Sequence, residues 1–418
     1  MRMRKPCYCE IGFLRDFFAI RPVNMEPNEE TIHLTWLWVS LFKFISKASI
    51  ILDISKLEFE KLIDSNKDLS EIGKNIKEDI DTTETSAVDS RFVSWLKLIN
   101  KSEGLIDFTE SEDSFPYISE FRVDEFDDDD QRLNAVYLTT QNDAVCKKQS
   151  KMFGVIVLNS NLAKECAHLF MDIGHAFPSN DAKDWSFLKG IKFPSLNICN
   201  SIIIVDNYLF IDDMDKYCDG KVRREWMDKI EQNLQPILQA LLPEKLDDGV
   251  MFEIAIFTAQ DKDNPDKSFE TQYQSLNTYL SVKRKNIKFR INFYGKCHEV
   301  FHDRCILTNN VWISSGHGFD IFSKNRGSLK PTTINIAFPF LQSSLLWCDG
   351  SYLNVLSQAK KIIDSYPDKY WGDCKRHNRI VSYFIRKDDV DSVAYKKTNI
   401  IQYKNCYKKR DTDGNIIW

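Results

Sequence analysis

No apolar run in the chain is long enough and free enough of charge to leave water. Its first ten residues, MRMRKPCYCE, are basic, but Glu10, Arg15 and Asp16 follow, so no signal-peptide core forms and secretion is not expected. The most apolar stretch, residues 34–54, carries Lys43 and Lys47. A spanning helix would bury both charges in hydrocarbon, so a buried helix followed by a strand is expected and a transmembrane segment is not. Paired C-x-x-C spacing is also missing. The eleven cysteines, an odd number without a repeated interval, read as reduced thiols in a cytoplasm rather than a disulfide framework. Nor does one sign of charge dominate: 56 Lys and Arg stand against 61 Asp and Glu, a net charge of −5, so any nucleic-acid surface must be local. Internal repeats and Gly/Ser linkers are absent.

What is present is ordinary globular material. At 418 residues with 43% hydrophobic residues, the chain is long enough for two cores and rich enough to fill them. Its pattern alternates strands with helices, which indicates two α/β domains. In the first, residues 5–13 alternate and lead into the aromatic FLRDFFAI, read as a strand reaching its end. Helical spacing of Leu34, Leu37, Leu41 and Ile45 follows within 29–48, then a strand at 49–55 and a helix over 56–81. The clearest unit is 135–160. There AVYL gives a strand, Asn142 or Asp143 caps a helix, Gly154 ends it, and VIVLN gives a second, parallel strand.

The loop-rich passage 173–197 is expected to link a domain over 1–172 to one over 198–418. The second domain opens with the strand SIIIVDNYLF, ending in Asp206, and continues with a helix at 222–242 kinked at Pro236. Strand, helix and strand follow at 251–259, 269–284 and 287–295. A helix at 355–365 and alternating strands complete it, with a basic extension at the end. Residues 372–418 hold eleven Lys and Arg against six Asp, interleaved with Tyr and Phe. That composition suits phosphate neutralisation with base stacking, and equally an exposed strand pair guarded by lysines. The acidic run VDEFDDDDQR at 123–132 reads as a solvated loop, with an acidic metal-binding cluster as the alternative.

Chemistry concentrates in FHDRCILTNNVWISSGHGFDIF, residues 301–322. Pleating puts His302 and Arg304 on one side of a strand, Asn309 and Asn310 make a tight turn, and Gly316 and Gly318 let the chain bend around His317. The spacing resembles the phospholipase D superfamily signature, H-x-K, then Asp, then G-S-x-N, with Arg304 for the lysine, Asn309 for the Asp, and Gly316, His317 and Phe319 in the last element. HDR, Trp312 and GHGFD are most similar to the phospholipase D-like domain at the C-terminus of MIT-domain proteins. Asp206 also resembles the Asp-x-Tyr of that domain's first strand. The resemblance covers about 200–340 and implies a covalent histidine route: His302 as nucleophile, Arg304 as phosphate clamp, with Asn309 and His317 as further catalytic positions. Such sites pair two motif copies, and the second H-x-R here, His377 to Arg379, lacks the residues that should follow. A homodimer in which His302 meets its symmetry mate, or a protein partner, would complete the site. The alternative is a salt-bridged strand surface, His302 and Arg304 pairing with Asp303 or Glu299. A zinc site from Cys297, His298, His302 and Cys305 is disfavoured because 297 and 298 point to opposite faces.

The first domain resembles PIN-like nucleases. Asp143 stands where their late acidic residue follows a strand, and Glu10 and Asp53, after the first and second strands, supply further carboxylates. The resemblance implies Mg²⁺ held by Glu10, Asp53 and Asp143; a turn or cap role suits the same residues. Together the two resemblances point to a cytoplasmic nuclease acting on nucleic acid, in a bacterial defence or toxin-like system. The alternative is a non-catalytic phospholipase D-like module binding phosphate groups, lipid headgroups or a protein partner.

Overall fold

The computed structural model describes residues 5–19, 39–42, 44–46, 48–65, 106–109, 115–122, 131–166, 173–177, 198–207, 209, 234–258, 265–295, 304–315, 319, 332–337, 355–356, 358–360, 362–363, 370–373 and 378–380. Within them, two sheets carry the fold.

The first sheet is wholly parallel. Its strands are β1 (Pro6–Cys9), β2 (Ser49–Leu52), β3 (Ile106–Phe108), β4 (Val136–Leu138) and β5 (Ile156–Leu158), in spatial order β3-β2-β1-β4-β5. Helices α1 (Ile11–Ala19), α2 (Lys56–Ser65), α3 (Asp143–Phe153) and α4 (Ser160–Cys166) alternate with them. The order turns back between β1 and β4, which makes the carboxyl ends of these two strands the natural crevice of the sheet.

Local chemistry accounts for these elements. Asn142 caps α3 by accepting from the Val145 N–H at 3.1 Å. Gly154 closes the same helix at φ 65°, a left-handed conformation that side chains resist. Ser55 and Glu58 form a reciprocal capping box at the start of α2. The strand expected over 5–13 stops at Cys9, and a helix begins at Ile11 and takes in the aromatic segment that follows. Phe13, Leu14, Phe17 and Phe18 recur at helical spacing and are all buried, so the apolar face decides the element.

The second sheet is mixed. Its strands are β6 (Ile173–Phe177), β7 (Ser201–Val205), β8 (Phe252–Phe257), β9 (Phe289–Tyr294), β10 (Arg304–Thr308), β11 (Trp312–Ser315), β12 (Thr332–Ala337) and β13 (Tyr370–Gly372), in spatial order β13-β9-β8-β7-β10-β11-β12-β6. β7, β8 and β9 run parallel, and the remaining pairings are antiparallel. Helix α5 (Gln235–Leu241) lies between β7 and β8 in the chain, and α6 (Pro265–Lys283) between β8 and β9. Phe269, Leu276 and Leu280 form the buried stripe of α6, Phe269 against Phe293 of β9 at 5.7 Å. Both domains are therefore α/β, as the alternation of elements implied.

One expectation changes. Residues 173–177, placed in the linker, form an edge strand of the second sheet, antiparallel to β12. Pro236 stands in the first turn of α5, and residues 222–233 of the longer helix expected there lie outside the described residues. Leu41 and Ile45 are buried in helical segments, while Leu34 and Leu37, the acidic residues 123–130 and the basic residues 381–418 lie outside the described residues. Cys7, Cys9, Cys146, Cys199 and Cys305 are buried thiols. Among the described residues, no helix is long and apolar enough to cross a membrane.

The sheets share one continuous apolar cluster, and polar contacts join them as well. The Asn200 side-chain amide donates to the Leu133 and Phe153 carbonyls, each at 2.8 Å. Gly154 approaches the second domain so closely that a β-carbon there would lie 2.5 Å from the Cys199 carbonyl oxygen.

Candidate functional site

Arg304 opens β10 and pairs with Ser315 of β11. On its other side Cys305 faces Val205 of β7, so Arg304 lies beside Asp206, the residue after β7. The Arg304 Nε is 3.9 Å from Asp206 Oδ1, a charge pair too long to be a hydrogen bond. The two groups differ in access: 27% of the Arg304 side chain is exposed and none of Asp206. A carboxylate in that position needs compensation. It receives the charge of Arg304 and, at Oδ2, the Phe319 N–H at 2.8 Å. Asp206 therefore ties together the end of β7, the start of β10 and the segment after β11. Asp206 was visible in the sequence as a carboxylate closing a five-residue apolar strand, but not as the anchor of Arg304. That role depends on β7 and β10 being neighbours, a pairing across a hundred residues.

Asn309 sits elsewhere. It follows Thr308 at the far end of β10 from Arg304, and only 2% of it is exposed. Its Oδ1 accepts from the Asn200 and Ser201 N–H groups, both at 3.0 Å, and its Nδ2 donates to Asn200 Oδ1 at 2.9 Å and Asn134 Oδ1 at 3.2 Å. Its carbonyl accepts from the Lys5 ammonium at 2.6 Å, and Lys5 also donates to Asn134 Oδ1 at 3.0 Å. Burial holds the Lys5 pKa well below its ordinary value. Asn309 thus joins the turn of the β10–β11 hairpin to the first domain. An aspartate there would set its carboxylate against two amide oxygens, which gives a physical reason for asparagine where the superfamily signature has Asp. His302 and His317 lie outside the described residues.

The three carboxylates of the first domain do gather along one edge. Glu10 follows β1, Asp53 follows β2, and Asp143 opens the helix after β4. Negative charge from Asp143 and Glu10 adds to burial in pushing the Cys146 thiol up to about 11. Burial, Cys7, Asp53 and Glu10 raise Cys9 in the same direction. Each carboxylate has local work. Glu10 Oε1 accepts from the Thr139 hydroxyl at 2.5 Å, and Oε2 from the Thr140 N–H at 2.8 Å and its hydroxyl at 2.5 Å. Asp53 accepts from the Ile11 N–H at 2.8 Å, at the start of α1, and Asp143 from Asn159 Nδ2 at 2.7 Å. Among the described residues, no group of three or more His, Cys, Asp or Glu is placed to hold a metal ion. As arranged, these residues fit caps and turns rather than a Mg²⁺ site.

The second sheet thus sets a partly exposed arginine beside a buried aspartate at the ends of two neighbouring strands. Residues 222–338 match the family model of the phospholipase D-like domain at the C-terminus of MIT, so this part of the chain is phospholipase D-like. The match includes Arg304 and Asn309 and begins after Asp206. None of the curated proteins matches the chain.

Proposed function

We propose that the phospholipase D-like domain engages phosphodiester groups of nucleic acid at Arg304 and cleaves them by a histidine route that needs no metal. The observation that carries this reading is the partly exposed Arg304 side chain, charge-paired at the strand end with a fully buried Asp206. A guanidinium presents paired donors that match two phosphoryl oxygens. His302 precedes Arg304 by two positions, the spacing that sets both on one face of an extended strand. It is the nucleophile: its imidazole nitrogen bonds to phosphorus as the P–O bond breaks, the leaving oxygen takes a proton from the second histidine of a two-copy site, and water, giving its proton back to that histidine, then releases the phosphoryl group from nitrogen. Completion of such a site by a second copy of the chain would bring two His302 side chains together, and a role in bacterial defence suits a chain that cuts nucleic acid.

The test uses the full chain with end-labelled single-stranded RNA and DNA, in EDTA. Cleavage and binding by the wild type, binding without cleavage by His302→Ala, and weakened binding by Arg304→Ala support the proposal. Binding without cleavage by the wild type identifies a non-catalytic phosphate-binding module instead. Cleavage that EDTA abolishes moves the chemistry to Glu10, Asp53 and Asp143. Absence of any binding overturns the reading.

A further inference from the structure

Asp206 is held by its backbone and its side chain alike. Its N–H donates to the Phe257 carbonyl at 3.1 Å, and its own carbonyl accepts from the Leu209 N–H at 3.3 Å. Its Oδ2 accepts from the N–H of Phe319, a residue that is itself 0% exposed. None of the Asp206 side chain reaches solvent, so Arg304, at 27%, is the exposed member of the pair. A surface carboxylate turns into water and is screened by it. This one keeps its orientation, and its field passes through protein rather than solvent, so it acts on whatever Arg304 binds.

We propose that Asp206 is a specificity-determining residue of the phosphate site, one that fits it to the single charge of a phosphodiester and against the double charge of a phosphomonoester. This rests on the reading that Arg304 binds phosphodiesters. An oxygen hydrogen-bonded to Arg304 Nε at ~2.8 Å lies no more than about 7 Å from Asp206 Oδ1. At that range each charge on the ligand is attracted by the guanidinium and repelled by the buried carboxylate. A diester brings one charge at every pH of interest. A monoester brings a second above its pKa of about 6, and that second charge must also leave its water. An arginine alone would repay the cost with added attraction. Beside Asp206 part of the attraction is cancelled, so the second charge gains little and the dianion loses its advantage.

The test is isothermal titration calorimetry of the full chain with dimethyl phosphate, a monoanion, and methyl phosphate, a dianion at about pH 8. The wild type should bind dimethyl phosphate at least as tightly as methyl phosphate. Asp206→Asn keeps an oxygen to accept the Phe319 N–H and removes the charge. It should shift the ratio of the two affinities about 10-fold toward methyl phosphate, whereas a residue that only supports the fold would change both affinities alike. An unchanged ratio, or a wild type that prefers the dianion, overturns the assignment. If Asp206→Asn does not fold, the wild type decides between about pH 5 and pH 8. Methyl phosphate affinity, taken relative to dimethyl phosphate at each pH, should stay level or fall as the second proton leaves, and a rise overturns the assignment. Dimethyl phosphate binding that Arg304→Ala weakens upholds the phosphate site even then. A wild type that binds neither anion overturns both.

Discussion

Asn309 and Lys5 show how single side chains set the geometry of this protein. The Oδ1, the Nδ2 and the backbone carbonyl of Asn309 are all hydrogen-bonded, and the residue is buried. Asn309→Asp replaces a donor with a charged acceptor facing two amide oxygens, and should lower stability by about 3 kcal/mol in urea unfolding. Lys5 yields a pH signature. Burial lowers its pKa from 10.5, so between the folded value and 10.5 the unfolded chain holds a proton that the folded chain lacks. Stability contributed by this group therefore rises with pH inside that window and is flat below it. Urea midpoints measured from pH 7 to 10.5 should climb more steeply in the wild type than in Lys5→Met; parallel curves would show that Lys5 does not titrate there.

Among the elements, α3 and its glycine bear on both domains. Gly154→Ala forces a side chain into the left-handed region and against the Cys199 carbonyl, so a loss of about 1–3 kcal/mol is expected by thermal unfolding. The βαβ unit around α3 was legible in the sequence because every signal in it is local: an asparagine cap, a helical apolar face, a terminal glycine. Helix α1 was less so, since the aromatic run after β1 reads as strand by composition, and only its spacing over Phe13, Leu14, Phe17 and Phe18 shows the helical face. Strand β6 was hidden for a different reason. It joins its sheet through β12, more than 150 residues away, and nothing in its own five residues announces that partner. The same limit applies at the site. Arg304 was identified from a local motif, whereas Asp206 became its neighbour only through the pairing of β10 and β7.

At the scale of the molecule, the two sheets share an apolar cluster and the Lys5–Asn134–Asn200–Asn309 contacts, so they should unfold together. Urea denaturation followed by tryptophan fluorescence and by far-ultraviolet circular dichroism should give coincident single transitions. Two separated transitions would show that the shared contacts do not couple the sheets. Mass in solution is informative too: a dimer by light scattering is expected if a second copy supplies the opposing His302.

The Asn309 turn has a practical corollary for anyone wishing to borrow the anion-binding half. Excision near residue 198 would strip Asn134 and the Lys5 ammonium from the loop and open a seam of amides to bulk solvent. The two halves are better regarded as one inseparable body, with the hairpin that presents the arginine rooted in its neighbour.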